Sequence, residues 1–269
     1  MEKLQEITKR RRIKTSLMEK DGDRSHQILA NLYSNPTHFF MELIQNAEDE
    51  NAENIKFTLE KDKLIFTHDS PNYFTLDDIE SISNFGDNEK KKEKPNMIGR
   101  FGIGFKSVYA ITDKPRIISA EYDITIENYN VPVPSNNSHE SYFQGTKIIL
   151  PFKKEMEKKI HEILYKELKH LNINYLLFLT SVKEIDWIAG DEKGKYRRDV
   201  QKNNIRYVKL QSPETSLKYY LLTKNIDVDN KILTLKMAIQ LDDENNFIPC
   251  DASPLFVFSP PKSKLTLIF

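Results

Sequence analysis

The hydrophobic positions in the first part of the chain predict helices. Residues 3–20 and 25–33 have the pattern of two helices, and Asn35-Pro36 ends the second one. Thr37 can cap a third helix, because apolar residues follow it at helical spacing. These apolar residues are Phe39, Phe40, Leu43, Ile44 and Ala47.

The pattern then changes to short strands and a polar loop. Residues 54–59 and 63–67 predict two strands joined by a tight turn. Thr75 is placed to cap a short helix that runs through Ile82. The next segment, 84–96, is polar and rich in lysine, which predicts a mobile loop. The glycine-rich segment 99–112 is predicted to pass from loop into helix.

Strands dominate the second half. Residues 115–120, 122–127 and 146–150 predict strands, and residues 156–171 predict an amphipathic helix. We place a boundary at this helix, with a first domain over residues 1–155 and a strand-rich α+β region over residues 156–269. The chain stops on the apolar run Leu-Thr-Leu-Ile-Phe, so we expect it to be the start of a longer protein.

Composition excludes several classes of protein. The 269 residues carry 40 basic and 40 acidic side chains, so the formal net charge is zero and gives no general attraction to nucleic acid or anionic lipid. The single cysteine, Cys250, excludes a disulfide framework and a cysteine-rich zinc site. The sequence has no secretory signal and no apolar run that would span a bilayer. We therefore expect a cytoplasmic protein with no membrane partner.

Glycine is scarce and concentrated. The chain has only eight glycines, and four of them are Gly86, Gly99, Gly102 and Gly104. Glycine allows close approach of the backbone to a ligand, and N–H groups at the start of a helix favour anions. The segment therefore predicts a phosphate cradle. It lacks the Gly-Lys-Ser/Thr of a P-loop, and it follows a lysine-rich loop rather than the strand of a dinucleotide fold.

Polar residues interrupt the apolar helix after Thr37. Glu42 and Asn46 are four residues apart and share a face, and Asp49 follows them. If they stood alone, a solvated polar stripe would be the better explanation of these residues. The strand that ends near Asp69 and the glycine segment together favour a binding site.

Five segments in this order resemble the GHKL, or Bergerat-fold, ATPases. The resemblance is to the branch of the ninety-kilodalton heat-shock chaperones, and within it to the sacsin and NO VEIN group. It implies a two-layer α/β sandwich with ATP bound between the helices and a lid, followed by the smaller α+β region. The segments are 42–49 (ELIQNAED), 68–70 (HDS), 84–86 (NFG), 98–108 (IGRFGIGFKSV) and 145–150 (GTKIIL).

The resemblance implies a role for each matching residue. Glu42 corresponds to the general base, and Asn46 to the asparagine that binds Mg²⁺. Asp69 corresponds to the acceptor of the adenine amino group, and Thr146 to the threonine that supports this aspartate. Asp49, near the adenine end, and Asn84 and Gly86, where the lid begins, belong to the same set. The phosphates would be held by backbone N–H groups of Gly99, Gly102, Ile103, Gly104 and Phe105.

The roles of several nearby residues are less specific. Arg100 and Lys106 flank the glycine segment and are predicted either to contact phosphate or to be surface or lid charges. His68 has no companion metal ligands and is predicted to be structural. The family's Asp-x-Gly-x-Gly pattern is replaced by Asp69-Ser70-Pro71-Asn72-Tyr73. The wall of the adenine pocket must therefore be built differently, with Asn72 and Phe74 as candidates.

The resemblance predicts slow, Mg²⁺-dependent ATP hydrolysis. A lid over residues 86–98 would close on ATP and drive a conformational change or a homodimer contact through the nucleotide-binding part. Downstream domains or a protein client are the other expected partners, and we do not expect direct binding of nucleic acid. A non-hydrolysing ATP switch, or a scaffold within a larger protein such as one of bacterial defence, stays open. A histidine-kinase catalytic domain would need an acceptor-histidine helix pair, which the sequence lacks.

Overall fold

The computed structural model describes residues 2–21, 38–83, 103–135, 143–202, 206–228 and 231–249. The predicted helix 25–33, the predicted loop 84–96 and Cys250 lie outside these residues. The helices are α1 (Glu2–Lys20), α2 (His38–Asp49), α3 (Leu76–Ile82), α4 (Ile103–Lys106) and α5 (Glu157–Lys169), with 3-10 turns at Ser107–Ala110 and Ile173–Leu176. The strands are β1 (Asn54–Leu59), β2 (Lys63–His68), β3 (Arg116–Ala120), β4 (Tyr122–Glu127), β5 (Val131–Pro134), β6 (Phe143–Pro151), β7 (Glu184–Ala189), β8 (Glu192–Lys202), β9 (Arg206–Gln211), β10 (Ser216–Val228) and β11 (Lys231–Leu241).

The described strands form one mixed sheet of eleven, in the order β11-β10-β9-β8-β7-β1-β2-β6-β3-β4-β5. The pairing of β1 with β7 is parallel, and the other pairings are antiparallel. Helices together with a large mixed sheet agree with the predicted α+β class, while the two-layer GHKL sandwich stays a prediction. The domain boundary at residue 155 also stays a prediction, although the sheet continues across it through β1 and β7.

The β1–β2 hairpin forms as its alternation predicts. Alternate residues of β1 (Ile55, Phe57 and Leu59) are buried, and Leu64 and Phe66 of β2 lie beside them. One face of the hairpin therefore belongs to the core, and its intervening side chains are more exposed.

Helix α2 covers this buried face. The five apolar side chains that predicted the helix are all fully buried. The ring of Phe40 lies 5.0 Å from that of Phe57, which in turn lies 4.9 Å from Phe66. Burial of each such side chain contributes roughly 2 kcal/mol of transfer free energy. Helix α2 is therefore held on the sheet by packing, and its polar residues lie away from that contact.

Helix α5 packs on the same face of the sheet. Its residues Ile160, Leu164 and Leu168 are buried, as the predicted amphipathic pattern requires. The Tyr165 ring lies 6.5 Å from that of Trp187, which pairs in register with Phe57 of β1. The helices before and after the predicted boundary thus share one core.

The basic segment of α1 is partly buried. Arg11 is only 6% exposed, because α1 packs against β5. Thr8 donates to the carbonyl of Pro132 at 2.5 Å, and Thr15 donates to Asn130 at 2.9 Å. Arg11 is therefore part of the packing between α1 and the sheet. No helix among the described residues is long and apolar enough to cross a membrane.

Local sequence signals predicted some helix and strand boundaries correctly and missed others. Thr75 caps α3 as predicted, in a reciprocal capping box with Asp78. The prediction omitted β5, whose two prolines suit its place at the edge of the sheet. Strand β6 begins three residues before the predicted Thr146.

Gly194 of β8 lies directly against the side chain of Trp187, and this close contact requires a glycine. A Cβ atom built on Gly194 would lie 2.6 Å from Cε2 of the indole ring. We therefore expect Gly194→Ala to lower the free energy of unfolding by about 1–3 kcal/mol through overpacking. Urea denaturation followed by fluorescence of Trp187, the sole tryptophan, measures this loss.

The neighbouring exposed residue gives the control. Lys193→Ala removes a surface side chain from the same strand and should change the unfolding free energy by less than about 0.5 kcal/mol. Equal effects of the two substitutions would contradict the proposed overlap with the indole ring.

Candidate functional site

The predicted site residues that are described lie on four elements. Glu42, Asn46 and Asp49 lie on α2, Asp69 directly follows β2, and Thr146 lies on β6. Ile103, Gly104 and Phe105 form the start of α4, where Phe105 is buried. The predicted residues Asn84, Gly86, Gly99 and Gly102, together with Arg100, lie outside the described residues.

The carboxylate of Glu42 lies directly against Gly104. A Cβ atom built on Gly104 would lie 3.1 Å from Cδ of Glu42 and closer still to its Oε2 atom. A glycine is therefore needed for α4 to approach α2 this closely while the carboxylate keeps its position. This contact brings together two residues that the sequence separates by about sixty positions.

The other polar residues of α2 differ in exposure. Asn46 is exposed, whereas Glu42 and Asp49 are half-buried. Asn46 lies one helical turn after Glu42, so the amide is on the same side of α2 as the carboxylate. The structure therefore presents a carboxylate and an accessible amide together, beside the start of α4.

Asp69 is held by the beginning of β1. Its Oδ1 atom accepts hydrogen bonds from the backbone N–H groups of Glu53 and Asn54 at 2.8 and 2.9 Å, and its Oδ2 accepts from Nδ2 of Asn54 at 2.6 Å. Partial burial of the carboxyl group raises its pKa, but these hydrogen bonds outweigh burial and leave the pKa below its usual value. Asp69 is therefore ionised at neutral pH.

Thr146 is joined to Ser119 rather than to Asp69. The Thr146 hydroxyl lies 2.9 Å from the hydroxyl of Ser119, and both residues are fully buried. The Ser119 hydroxyl also accepts a hydrogen bond from the backbone N–H of Phe74 at 3.0 Å. No direct hydrogen bond joins Thr146 to Asp69 among the described contacts. Ser119 was missed by the sequence reading, although one serine in a buried apolar strand was a usable signal.

The segment that replaces the family's glycines is tied to the end of α2. Ser70 donates to the carbonyl of Glu50 at 2.5 Å and accepts from the backbone N–H of Asn72 at 2.9 Å. The side chain of Asn72 donates to the same carbonyl at 3.1 Å. These bonds fix a compact turn without glycine. Asn72 and Phe74 thus lie close to α2 and β3, beside the predicted adenine pocket.

His68 faces the core beside this turn. Burial lowers the pKa of the imidazole to about 4, although the charge of Asp69 opposes the shift. Its Nδ1 accepts a hydrogen bond from the backbone N–H of Ser70 at 3.3 Å. The neutral ring therefore carries its proton on Nε2.

Gly145 has a φ of 106°, and a Cβ there would lie 3.1 Å from the carbonyl carbon of His68.

Lys106 is buried, so the prediction of a surface or lid charge is wrong. The side chain is 3% exposed, and Nζ donates to the carbonyl of Ile82 and, at 3.4 Å, to that of Tyr129. Burial, together with the nearby charge of Arg11, lowers the pKa of Lys106 to about 7. Lys106 thus joins α4 to the end of α3.

Comparisons with known proteins agree with the motifs. A family model described as Sacsin domain matches residues 64–140, which include Asp69 and the glycine segment. Protein NO VEIN of Arabidopsis thaliana is 26% identical over 266 residues, covering 85% of the chain. Sacsin of Homo sapiens is 38% identical over 96 residues, covering 30% of the chain. Chaperone protein HtpG of Chlorobium phaeovibrioides is 28% identical over 182 residues, covering 55% of the chain.

These matches fit a sacsin-like, chaperone-like branch of the GHKL-like proteins. The predicted resemblance to this branch is therefore confirmed. The chain spans 10% of NO VEIN, 2% of sacsin and 28% of HtpG. It thus represents a small part of the first two relatives.

The contact between Glu42 and Gly104 can be tested by a double-mutant cycle. In the wild type, Gly104→Ala would force the flexible Glu42 side chain away, whereas alanine otherwise favours helix over glycine. We expect the substitution to be less favourable in the wild type than in Glu42→Ala, by about 0.5–1.5 kcal/mol of unfolding free energy. Urea denaturation of the four proteins measures this coupling.

A second background serves as the control for this cycle. Glu53→Ala removes a carboxylate that has no contact with Gly104, so the effect of Gly104→Ala should be the same there as in the wild type. An effect of Gly104→Ala that is equal in all three backgrounds would show that the two residues are not in contact.

Lys106 should make stability depend on pH. Its pKa is about 7 in the folded protein and 10.5 for an unperturbed lysine, so the unfolded chain binds more protons between these values. The stability of the wild type relative to Lys106→Met should therefore rise with pH across this window, by up to about 1.4 kcal/mol per pH unit. Denaturation at several pH values measures the difference, and exposed Lys114→Met is the control. A flat difference for Lys106→Met would contradict the lowered pKa.

Proposed function

We propose that the chain is an ATP-binding module that hydrolyses ATP slowly with Mg²⁺. The observation that carries the proposal is the contact of the Glu42 carboxylate with Gly104, because a carboxylate beside the glycine segment is what a general base at this position would require. The similarity to HtpG, a chaperone by name, supports the same function. A homodimer, a protein client and a closing lid stay predictions from the resemblance.

The chain's own residues would divide the chemistry as follows. Glu42 would orient the attacking water and take its proton, since phosphoryl transfer depends mainly on positioning and electrostatics. The backbone N–H groups of Ile103, Gly104 and Phe105, with Gly99 and Gly102, would donate to the phosphates. Asp49 would lie toward the adenine end, and Asn84 and Gly86 where the lid begins.

Asp69 would recognise adenine through the acceptor capacity that it still has. An ionised carboxylate offers about four lone-pair positions, and three hydrogen bonds to β1 are already made. One position on Oδ2 is left for the amino group of adenine. Because the bonds to β1 hold Asp69 in one orientation, the carboxylate would be preorganised. Thr146 would support the pocket through Ser119.

The donor set is compatible with Mg²⁺. This ion usually takes one or two protein oxygens and completes its shell with water and phosphate. Asn46 supplies one accessible amide oxygen, and the described residues contain no cluster of three or more histidine, cysteine or acidic side chains that would form a separate metal site. Bound Mg²⁺ would neutralise phosphate charge.

Hydrolysis is tested with ATP and Mg²⁺ on the full chain. Glu42→Ala should reduce turnover by about a hundredfold or more while ATP binding is kept, because it removes the general base. Asp69→Asn should weaken ATP binding by about tenfold or more, because it removes an ionised acceptor. Calorimetry and phosphate release measure the two effects, and exposed Glu121→Gln is the control for both.

Each outcome separates one function from another. Equal turnover of wild type and Glu42→Ala would rule out Glu42 as the base. Binding without turnover in the wild type would replace hydrolysis by a nucleotide switch. No binding at millimolar ATP would leave a scaffold. Circular dichroism of every variant shows whether a loss of binding reflects unfolding.

A further inference from the structure

Glu48 lies in the last turn of α2, between Asn46 and Asp49. The C-terminal end of a helix carries partial negative charge, so an acidic residue there is unfavourable. The last turn of α2 contains no basic residue that would compensate. Contacts outside the helix must therefore stabilise this carboxylate.

Those contacts come from the segment that precedes β7. Oε1 of Glu48 accepts from the backbone N–H and the hydroxyl of Thr180, each at 2.6 Å, and from the N–H of Ser181 at 3.1 Å. Oε2 accepts from the N–H groups of Ser181 and Val182 at 3.0 and 2.9 Å. Three consecutive N–H groups thus converge on one carboxylate, and hydrogen bonds to an ionised acceptor are among the stronger ones.

The same segment also holds the beginning of β1. The N–H groups of Lys183 and Glu184 donate to the carbonyl of Glu53 at 2.8 and 3.3 Å. The N–H of Asn54, in the same peptide group as that carbonyl, donates to Asp69 at 2.9 Å. Residues 180–184 therefore bind α2 through Glu48 and, through the Glu53 peptide, the group that orients Asp69.

This anchoring sets how α2 is rotated about its axis. Glu42, Asn46 and Asp49 follow an i, i+4, i+7 spacing and share one side of the helix. Glu48 precedes Asp49 and is turned from it by about 100°. A fixed Glu48 at the end of the helix therefore acts together with the apolar packing to hold the polar side of α2 in one direction.

We propose that Glu48 is a positioning residue for the nucleotide site. It clamps α2 to residues 180–182, so that Asn46 and Asp49 keep a fixed position relative to Asp69. The proposal rests on the proposed function. It also assigns a role in the site to residues beyond the predicted first domain.

Glu48→Gln in the full chain tests the clamp. Glutamine keeps the size of the side chain but turns an amide NH₂ toward N–H donors, so the cluster of hydrogen bonds is lost. We expect the Kd for ATP to rise about tenfold well below the unfolding temperature, because small displacements weaken a preorganised site. We also expect faster hydrogen exchange at the amides of Ser181 and Val182.

Two controls separate positioning from stability. Glu60→Gln changes a carboxylate at the other end of β1 whose ion pair with Lys63 is partly exposed, so the Kd should change less than about twofold. Gly194→Ala should lower stability and leave the Kd unchanged. An equal rise of the Kd in Gly194→Ala would show that general destabilisation is responsible, and would overturn the proposal.

The remaining outcomes are equally distinct. Wild-type affinity in folded Glu48→Gln would overturn the positioning role. If the wild type itself binds no ATP, the proposed function fails. Hydrogen exchange then tests whether Glu48 clamps α2 to residues 180–182. Faster exchange confined to residues 180–182 and the last turn of α2 would then support the clamp, and unchanged exchange would overturn it.

Discussion

The parallel pairing of β1 with β7 is the constraint on which the other features depend. It places Ile185 beside Ile55 and Trp187 beside Phe57, so both halves of the chain contribute to one apolar face. A parallel pair needs a long crossover, and here the crossover includes α5, which packs on that face. The core under α2 is therefore completed by residues far along the chain. The elements that carry the candidate site depend on this completed core.

The candidate site is built from pairs of distant residues. Glu42 contacts Gly104, Asp69 binds the start of β1, and Ser119 joins Thr146 to the backbone of Phe74. Each contact orients a group by fixed backbone or buried side chains rather than by a flexible surface. Such preorganisation is what binding of a charged ligand requires, because little ordering remains to be done when the ligand arrives.

Local patterns predicted the parts, and long-range contacts decided how they meet. The apolar side of α2, the β1–β2 hairpin and the cap at Thr75 each depend on a few neighbouring residues, and the sequence predicted all three. The burial of Lys106 and the bonds of Glu48 to residues 180–182 depend on partners distant in the sequence. No periodicity reveals such partners. The motifs proposed the site residues as a set of candidates, but they could not show that Thr146 bonds Ser119.

Lys106 also has a consequence for how the chain can vary. Its bond to the carbonyl of Ile82 joins positions 24 residues apart, immediately outside the segment 84–102. The ends of that segment are therefore tied by a contact that does not involve the segment itself. The entropic cost of closing a loop grows only with the logarithm of its length, by about 0.6 kcal/mol per doubling. Insertions and deletions between the two ends would thus cost the folded state little free energy.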